Sequence, residues 1–111
     1  MAGIARLAVV NDASGTTVGT PGGILAWTAT ASYVLSVVVT NKGTTNGTFY
    51  VWVAPTGTTS TPGSWGWIAY NLPLSTSNTY ETFRFGVNNT DMVYVAGSAG
   101  MSYYIQGINQ S

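Results

Sequence analysis

The sequence contains no cysteine and no histidine, and it carries very few charges. Its 111 residues include 3 Lys or Arg and 3 Asp or Glu, so charged residues make up 5% of the chain. Ordinary soluble domains carry about 25%. Without imidazole or thiol groups, the chain lacks the commonest general base and the cysteine nucleophile, and a Ser-His-Asp triad is excluded. The usual ligands of zinc and iron sites are missing as well.

The carboxylates that remain do not form a catalytic pattern. They are Asp12, Glu81 and Asp91. A glycosidase needs two carboxylates across the scissile bond, but Asp91 ends the run Asn-Asn-Thr-Asp, where an Asx side chain that bonds to its local backbone is expected. Glu81 and Arg84 belong to one strand-like run at an odd spacing, so we expect them to face opposite sides. A calcium site at residues 88–91 would offer a single carboxylate and is the weaker interpretation. We therefore expect no enzyme activity, no cofactor and no metal site.

The balance of charge also excludes partners that are chosen by charge. The formal net charge is zero. The sequence has no basic patch for a nucleic-acid backbone and no polybasic run for anionic lipid. No apolar run approaches the roughly 20 residues of a membrane-spanning helix. The opening stretch MAGIARLAVV lacks the basic region of a signal peptide, and Arg6 interrupts its apolar run. We expect neither nucleic acid nor a membrane as partner.

Aromatic residues are plentiful, with 4 Trp, 7 Tyr and 3 Phe, which is not the composition of a disordered chain. Gly, Pro and Asn-Gly clusters cut the sequence into short runs rich in Val, Tyr, Trp and Thr, the pattern of strands and turns. No run has a helical period with caps. We predict strands near residues 3–10, 24–30, 33–41, 47–54, 65–71, 79–87, 91–96 and 101–108. The sequence therefore predicts an all-β fold, a single antiparallel β-sandwich domain of about eight short strands over residues 1–111, with jelly-roll or Ig-like topology.

The first 22 residues leave two interpretations open. A Gly- and Thr-rich stretch over residues 11–23 separates the first predicted strand from the rest of the chain. Residues 1–22 are either an N-terminal arm, whose strand pairs on another subunit, or a long loop and strand that return to the same sandwich.

The alternation of side chains predicts which faces of the strands are buried. In YVLSVVVTN, the apolar face consists of Tyr33, Leu35, Val37 and Val39. In YETFRFGV, one face consists of Phe83, Phe85 and Val87, and the other of Thr82 and Arg84. We expect the first face of each run to lie in the core.

In TFYVWVA the alternation leaves the buried face undecided. Phe49, Val51 and Val53 fall on one side, and Tyr50 and Trp52 fall on the other. Both sides are apolar enough to be buried. If the first side faces the core, two large aromatic side chains point away from it.

Aromatic side chains on outer faces are the strongest functional signal of the sequence. Our candidates for interface residues are Tyr50, Trp52, Trp65, Trp67 and Tyr104. Tyr and Trp are enriched at protein interfaces, whose cores are depleted in charge, and they also provide apolar faces on which sugar rings stack. Burial inside the sandwich is the simpler interpretation for any one Trp. It does not suffice for all of them, because a small sandwich has a single inner layer.

Two stretches, VLSVVVTNKGTTNGTFYVWVAPTG and DMVYVAGSAGMSYYIQGI, resemble a recurring type of small virion structural protein in tailed bacteriophages, cyanophages among them. The shared pattern is a strand ending in Asn, a polar loop, a strand leading into Pro-x-Gly, and two late strands. The matching residues are 39–41, 53–57, 91–95 and 105–107. The resemblance implies a β-sandwich displayed on a virion as a head decoration, a fibre or a tail-associated part. It transfers no catalytic or binding residue.

The combined expectation is a capsid decoration or cement protein. Such a protein would form homo-oligomers, bind other virion proteins such as the major capsid protein, and lie in the virion after synthesis in the host cytoplasm. The alternative is a fibre or tail-tip adhesin that binds host-surface glycan through exposed Trp and Tyr. That alternative predicts that Trp65 and Trp67 line an exposed groove with Asn or Thr nearby. A third interpretation is a fragment of a bacterial surface layer or adhesin, which the missing signal peptide counts against.

Overall fold

The computed structural model describes residues 3–18, 22–55 and 66–110, and within these ranges the chain forms nine strands and no helix. The strands are β1 (Ala5–Asp12), β2 (Ile24–Thr28), β3 (Tyr33–Asn41), β4 (Gly47–Ala54), β5 (Trp67–Leu74), β6 (Thr79–Glu81), β7 (Phe85–Val87), β8 (Met92–Gly97) and β9 (Met101–Asn109). The described part of the chain thus offers no helix of the length and apolarity needed to span a membrane.

The strands build two antiparallel sheets that enclose one core. The five-stranded sheet has the order β1, β9, β3, β6, with β7 also paired to β3. The four-stranded sheet has the order β2, β8, β4, β5. When β6 and β7 are taken as one interrupted strand, the chain passes between the sheets in the order of a jelly roll. The predicted all-β sandwich is confirmed, and the jelly roll is the one of the two expected topologies that is observed.

Alternating side chains fill the space between the sheets. Leu35, Val37 and Val39 of β3 are fully or almost fully buried, as their alternation predicted, and Phe49 and Val51 of β4 face them from the other sheet. Removing apolar surface from water contributes about 25 cal/mol per Å². This inner layer is therefore the main source of stability and fixes both strand registers, because a slip of one residue would turn these side chains to the outside.

The run YETFRFGV is not the continuous strand that the alternation predicted. The backbone N–H of Thr82 donates to the Val37 carbonyl at 2.9 Å, and its hydroxyl accepts from the Val37 N–H at 3.0 Å. The Thr82 hydroxyl thus replaces a backbone carbonyl as the partner of the Val37 N–H, and the regular ladder to β3 is interrupted between β6 and β7. Phe83 is 60% exposed, whereas Phe85 is buried. The expectation that these two rings share the buried face is therefore wrong.

A buried amide closes the end of the sandwich where β3 turns into β4. The Asn41 side-chain N–H₂ donates to the carbonyls of Thr45 and Leu74, each at 3.0 Å. Its Oδ1 accepts from the Gly43 N–H at 2.9 Å. Gly43 and Thr45 belong to the loop between β3 and β4, and Leu74 is the last residue of β5. This one side chain therefore satisfies three backbone groups at the end of the strands.

The N-terminal strand belongs to the same sandwich. β1 pairs with β9 of its own chain over its length, with one irregularity between Arg6 and Ala8. Further along, Thr16 and Gly97 of β8 exchange two backbone hydrogen bonds of 2.8 and 3.1 Å. Thr16 therefore pairs with β8 at the margin of the four-stranded sheet before β2 begins.

Candidate interaction surfaces

The outer face of the four-stranded sheet is aromatic. β4 directs Phe49 and Val51 into the core and Tyr50 and Trp52 to the opposite side. This settles the ambiguity of the sequence: the side with the two largest rings faces away from the inner layer. The apolar character of both sides reflects two separate hydrophobic clusters, one on each face of β4.

Five rings form a continuous group on this outer face, which we call the aromatic cluster. Its members are Tyr50, Trp52, Trp67, Tyr70 and Tyr94. Trp52 stacks on Tyr94, with ring centroids 5.6 Å apart and planes inclined by 9°, and lies 5.4 Å from Trp67. Tyr70 stands edge-on to Trp67 at 4.7 Å and to Tyr50 at 5.5 Å. Stacked and edge-to-face pairs each contribute about 0.5–1.5 kcal/mol beyond the burial of their area.

Trp52 is covered by its own chain and is 0% exposed. A Cβ atom built on Gly23 would lie 2.3 Å from Cη2 of Trp52, so the backbone before β2 lies directly on the indole. Gly23 also has a φ of 78°, which glycine adopts without strain. Val18, from the connection after β1, packs on the same cluster. This connection forms a third layer over the sheet, and it places Trp52 inside the subunit although the side chain points away from the inner core.

Trp67 and Tyr70 meet because β5 is irregular. Strict alternation would place them on opposite faces, but the register between β4 and β5 shifts on both sides of Val51, and Asn71 has a φ of 50°. The two rings therefore lie on one face, and Tyr70 is 62% exposed. Alternation in the sequence does not single out Tyr70, because a bulge reverses the side-chain pattern that alternation assumes. The Asn at position 71, a residue type enriched at positive φ, is the local signal of the irregularity.

The outer face of the five-stranded sheet is the second surface. β1, β9 and β3 place Val9, Tyr104 and Val38 side by side, because directly opposed residues point to the same face. We call these three residues the apolar row. Val9 is 47% exposed and Tyr104 is 38% exposed. The described residues thus leave the row open to solvent.

Arg6 and Glu81 lie at opposite margins of this second face. Arg6 of β1 is opposed by Gln106 of β9, which is opposed by Ser36 of β3. The Glu81 carboxylate accepts from the Ser36 hydroxyl at 3.1 Å and from the Gln106 amide at 3.3 Å. The Glu81 carboxylate therefore lies at the same height along the strands as Arg6. A cation and an anion flank a polar strip at this level.

Arg84 lines the same shallow cavity of ≈ 90 Å³ as Glu81. The sequence predicted opposite faces for the two residues. That expectation is wrong, because the interruption after β6 changes the direction of the side chains that follow.

The remaining carboxylates hold turns. Asp12 accepts from the Gly15 N–H at 3.0 Å and from the Thr16 hydroxyl at 2.7 Å. Asp91 accepts from the Asn88 N–H at 2.8 Å, so the local Asx bond predicted for Asp91 is confirmed. Each acidic side chain of the chain therefore has a structural hydrogen-bond partner.

The residues predicted to form an interface do not share one surface. Tyr50, Trp52 and Trp67 belong to the aromatic cluster of the four-stranded sheet, whereas Tyr104 belongs to the apolar row of the other sheet. Trp65 lies outside the described residues. Their role at an interface stays a prediction. Trp52 is 0% exposed and is covered by residues of its own chain.

No protein-family model and no curated protein matches the sequence. Several solved structures are similar to the chain. The chain is similar to one in the T13 particle of infectious bursal disease virus (IBDV), with a TM-score of 0.50 and 14% identity over 97% of this chain and 31% of that chain. It is similar to a Clostridium thermocellum xylanase 10B with CBM22-1 and GH10 modules complexed with xylohexaose, with a TM-score of 0.49 and 11% identity over 99% of this chain and 25% of that chain. The Eiger TNF of S. frugiperda has a TM-score of 0.41 and 10% identity over 96% of this chain and 86% of that chain.

At 14% identity, the likeness to the viral chain shows the fold alone. The chain spans 31% and 25% of the length of the viral and xylanase chains. The activities and partners of those longer proteins are therefore not assigned to this chain.

Proposed function

We propose that the chain is a non-enzymatic structural subunit of a virion, a capsid decoration or cement protein, that assembles with copies of itself through the outer face of the five-stranded sheet. The observation that carries the proposal is the apolar row, which joins three neighbouring strands on a face that the described residues leave uncovered. Apolar cores with polar and charged margins are the general build of protein interfaces.

Charge complementarity favours a second copy as the occupant of this face. A two-fold axis parallel to the strands would place β1 of one copy over β6 of the other. Arg6 of each copy would then meet Glu81 of the other, because the two side chains lie at one level on opposite margins. Arg84 shares the margin of Glu81 and is a like charge toward Arg6 of the other copy. The Arg6–Glu81 pairs therefore contribute orientation more than affinity, and burial of the apolar row supplies most of the affinity.

The composition supports the wider proposal of a virion component. A surface with 3 basic and 3 acidic residues favours association over solubility. The acidic side chains hold turns or bond to strand neighbours, which leaves them engaged in structure rather than poised for catalysis. The sequence resembles small tailed-phage virion proteins, and the fold is similar to part of a chain of the IBDV particle.

The first test is the mass of the purified chain in solution, measured by light scattering at several concentrations. We expect a dimer for the wild type and a shift toward monomer for Tyr104→Ser, which places a polar group in the centre of the apolar row. Phe83→Ser is the matched control, since Phe83 is an exposed ring outside the row. A wild-type chain that stays monomeric throughout, or a dimer that Tyr104→Ser leaves intact, contradicts the proposed face.

Charge reversal tests the orientation. Arg6→Glu and Glu81→Arg should each weaken the dimer about tenfold, since each variant brings like charges together at two symmetric places. The double variant restores opposite charges in exchanged positions and should regain most of the wild-type affinity. If the losses of association free energy in the two single variants add up in the double variant, Arg6 and Glu81 do not meet.

The virion assignment has its own test. Mass spectrometry of purified particles of the virus that encodes the chain should find it in many copies per particle. Its absence from particles would refute the decoration role, whatever the oligomeric state.

A further inference from the structure

The aromatic cluster borders an open groove on the outer face of the four-stranded sheet. The groove has a volume of ≈ 510 Å³, and its lining includes Thr16, Thr17, Thr48, Ser98 and Tyr50. We call it the hydroxyl groove. Its size falls in the range of about 300–1,000 Å³ that small-ligand sites occupy.

Both walls of the hydroxyl groove are held in place. One wall is the connection after β1, which the paired backbone bonds between Thr16 and Gly97 attach to β8. The Asp12 carboxylate fixes the same wall through the Thr16 hydroxyl at 2.7 Å. The other wall is Tyr50, whose ring lies 5.9 Å from that of Trp67. A groove whose walls are already ordered loses little conformational entropy when a ligand binds.

The hydrogen-bonding groups of the groove are available. The Ser98 hydroxyl accepts from the Thr48 N–H at 3.1 Å, so its own proton is left to donate. Among the described residues, the side-chain hydroxyls of Thr17 and Thr48 have no hydrogen-bond partner. Hydroxyl groups both donate and accept, so they match a ligand whose own polar groups are hydroxyls.

The charge of the groove selects the class of ligand. The described residues that line it include no Lys, Arg, Asp or Glu, so they offer neither an anion nor a cation a counter-charge. A neutral sugar presents an apolar C–H face and a ring of hydroxyls, which suit an aromatic wall and a hydroxyl-rich wall together. Tyr70 extends the aromatic wall outward, because its exposed ring stands edge-on to Tyr50 at 5.5 Å.

We propose that the hydroxyl groove binds a neutral saccharide, with Tyr50 as the stacking wall and Thr17, Thr48 and Ser98 as hydrogen-bonding partners. This site goes beyond the assembly role, because it lies on the sheet opposite to the apolar row. A subunit built in this way holds its neighbour with one sheet and a sugar with the other. The site differs from the groove expected from the sequence, which was assigned to Trp65 and Trp67.

The test is calorimetric titration with neutral cello-, xylo-, malto- and chito-oligosaccharides, and with polygalacturonate as the anionic comparison. We expect at least one neutral oligosaccharide to bind. Tyr50→Ala should weaken this binding about tenfold or more through loss of the stacking ring. Thr48→Val and Thr17→Val keep the side-chain shape and should each weaken it about fivefold through loss of one hydrogen bond. Thr17→Val changes an exposed side chain and therefore remains informative if Tyr50→Ala fails to fold.

Phe83→Ala is the matched control, because it removes an exposed ring that belongs neither to the groove nor to the apolar row. Binding that Phe83→Ala leaves unchanged and the groove variants weaken supports the proposal. Absence of binding by every neutral oligosaccharide overturns it, as does binding of polygalacturonate alone or binding that all groove variants retain. The mass of the groove variants in solution should equal that of the wild type, so failure of the saccharide site and failure of the proposed assembly face are separate results.

Discussion

Replacing Trp52 by Ala distinguishes a side chain that holds the subunit together from one that binds a partner. Trp52 points away from the inner core, and the sequence made it a candidate for an interface. In the structure it is 0% exposed, stacked on Tyr94 and covered by Gly23. We therefore expect Trp52→Ala to destabilise the isolated subunit rather than to weaken association alone.

The expected loss is large for a domain of this size. Truncation of a buried Trp to Ala costs about 3–5 kcal/mol, since both the transfer of the side chain and the cavity contribute. The ring contacts of Trp52 with Tyr94 and Trp67 place the value in the upper part of this range. Domains are stable by about 5–15 kcal/mol. The variant should therefore lose a third or more of its stability and melt roughly 10–20 °C lower.

The assay is urea unfolding followed by tyrosine and tryptophan fluorescence, with circular dichroism as a second probe, at two protein concentrations. Tyr70→Ala is the matched control from the same cluster, and we expect it to cost about 1 kcal/mol or less because Tyr70 is largely exposed. A Trp52→Ala chain as stable as the control would refute the third layer over β4. So would a loss that disappears on dilution, because it would show that the indole is buried only between subunits.

Three further changes test other parts of the structure. Asn41→Ala should lower the free energy of unfolding by about 2–4 kcal/mol in urea titrations, because it leaves two carbonyls and one N–H without their partner; a loss below about 1 kcal/mol would show that water replaces the amide. Tyr103→Phe should leave stability near neutral pH unchanged or slightly higher, since the buried hydroxyl of Tyr103 has no partner among the described residues. Burial, together with the Asp12 carboxylate, raises the pKa of Tyr103 above its usual 10.0. The unfolded chain therefore loses this proton at lower pH than the folded chain, and stability falls as the pH rises above 10.0. Tyr103→Phe should flatten that fall in alkaline unfolding curves. An unchanged slope of stability against pH would contradict the burial of the hydroxyl. Gly23→Ala should cost about 2–4 kcal/mol in thermal unfolding, because the new methyl group meets the Trp52 ring at a positive φ, and a neutral effect would show that the segment does not lie on the indole.

The local pattern of the sequence was sufficient for the fold class. β-Branched and aromatic runs between Gly and Pro turns determine strands, and their number determines a sandwich. The alternation in β3 correctly assigned Leu35, Val37 and Val39 to the core, because burial of one sheet face imposes a period of two on the side chains. The Asx turn at Asp91 was also predictable, since its hydrogen bond spans only a few residues.

The candidate surfaces depended on contacts that no local pattern encodes. Two register shifts in β5 bring Trp67 and Tyr70 to one face, and the hydrogen bonds of Thr82 to Val37 interrupt the strand that follows β6. The hydroxyl groove joins Thr17 to Thr48, which are far apart in the chain. Such features arise from the pairing of distant strands, and a single period cannot represent them.

The sequence by itself determined that this protein is an all-β sandwich with few charges and an excess of large aromatic side chains. Only the tertiary structure decided where those side chains go. A strand has two faces, and alternation states which residues share a face without stating what covers it. For Trp52 the cover is a glycine-bearing segment nearly thirty residues earlier in the chain, whereas the described residues leave Tyr104 38% exposed. The physical reason is that burial is a property of the assembled layers, which form only when segments distant in sequence pack together.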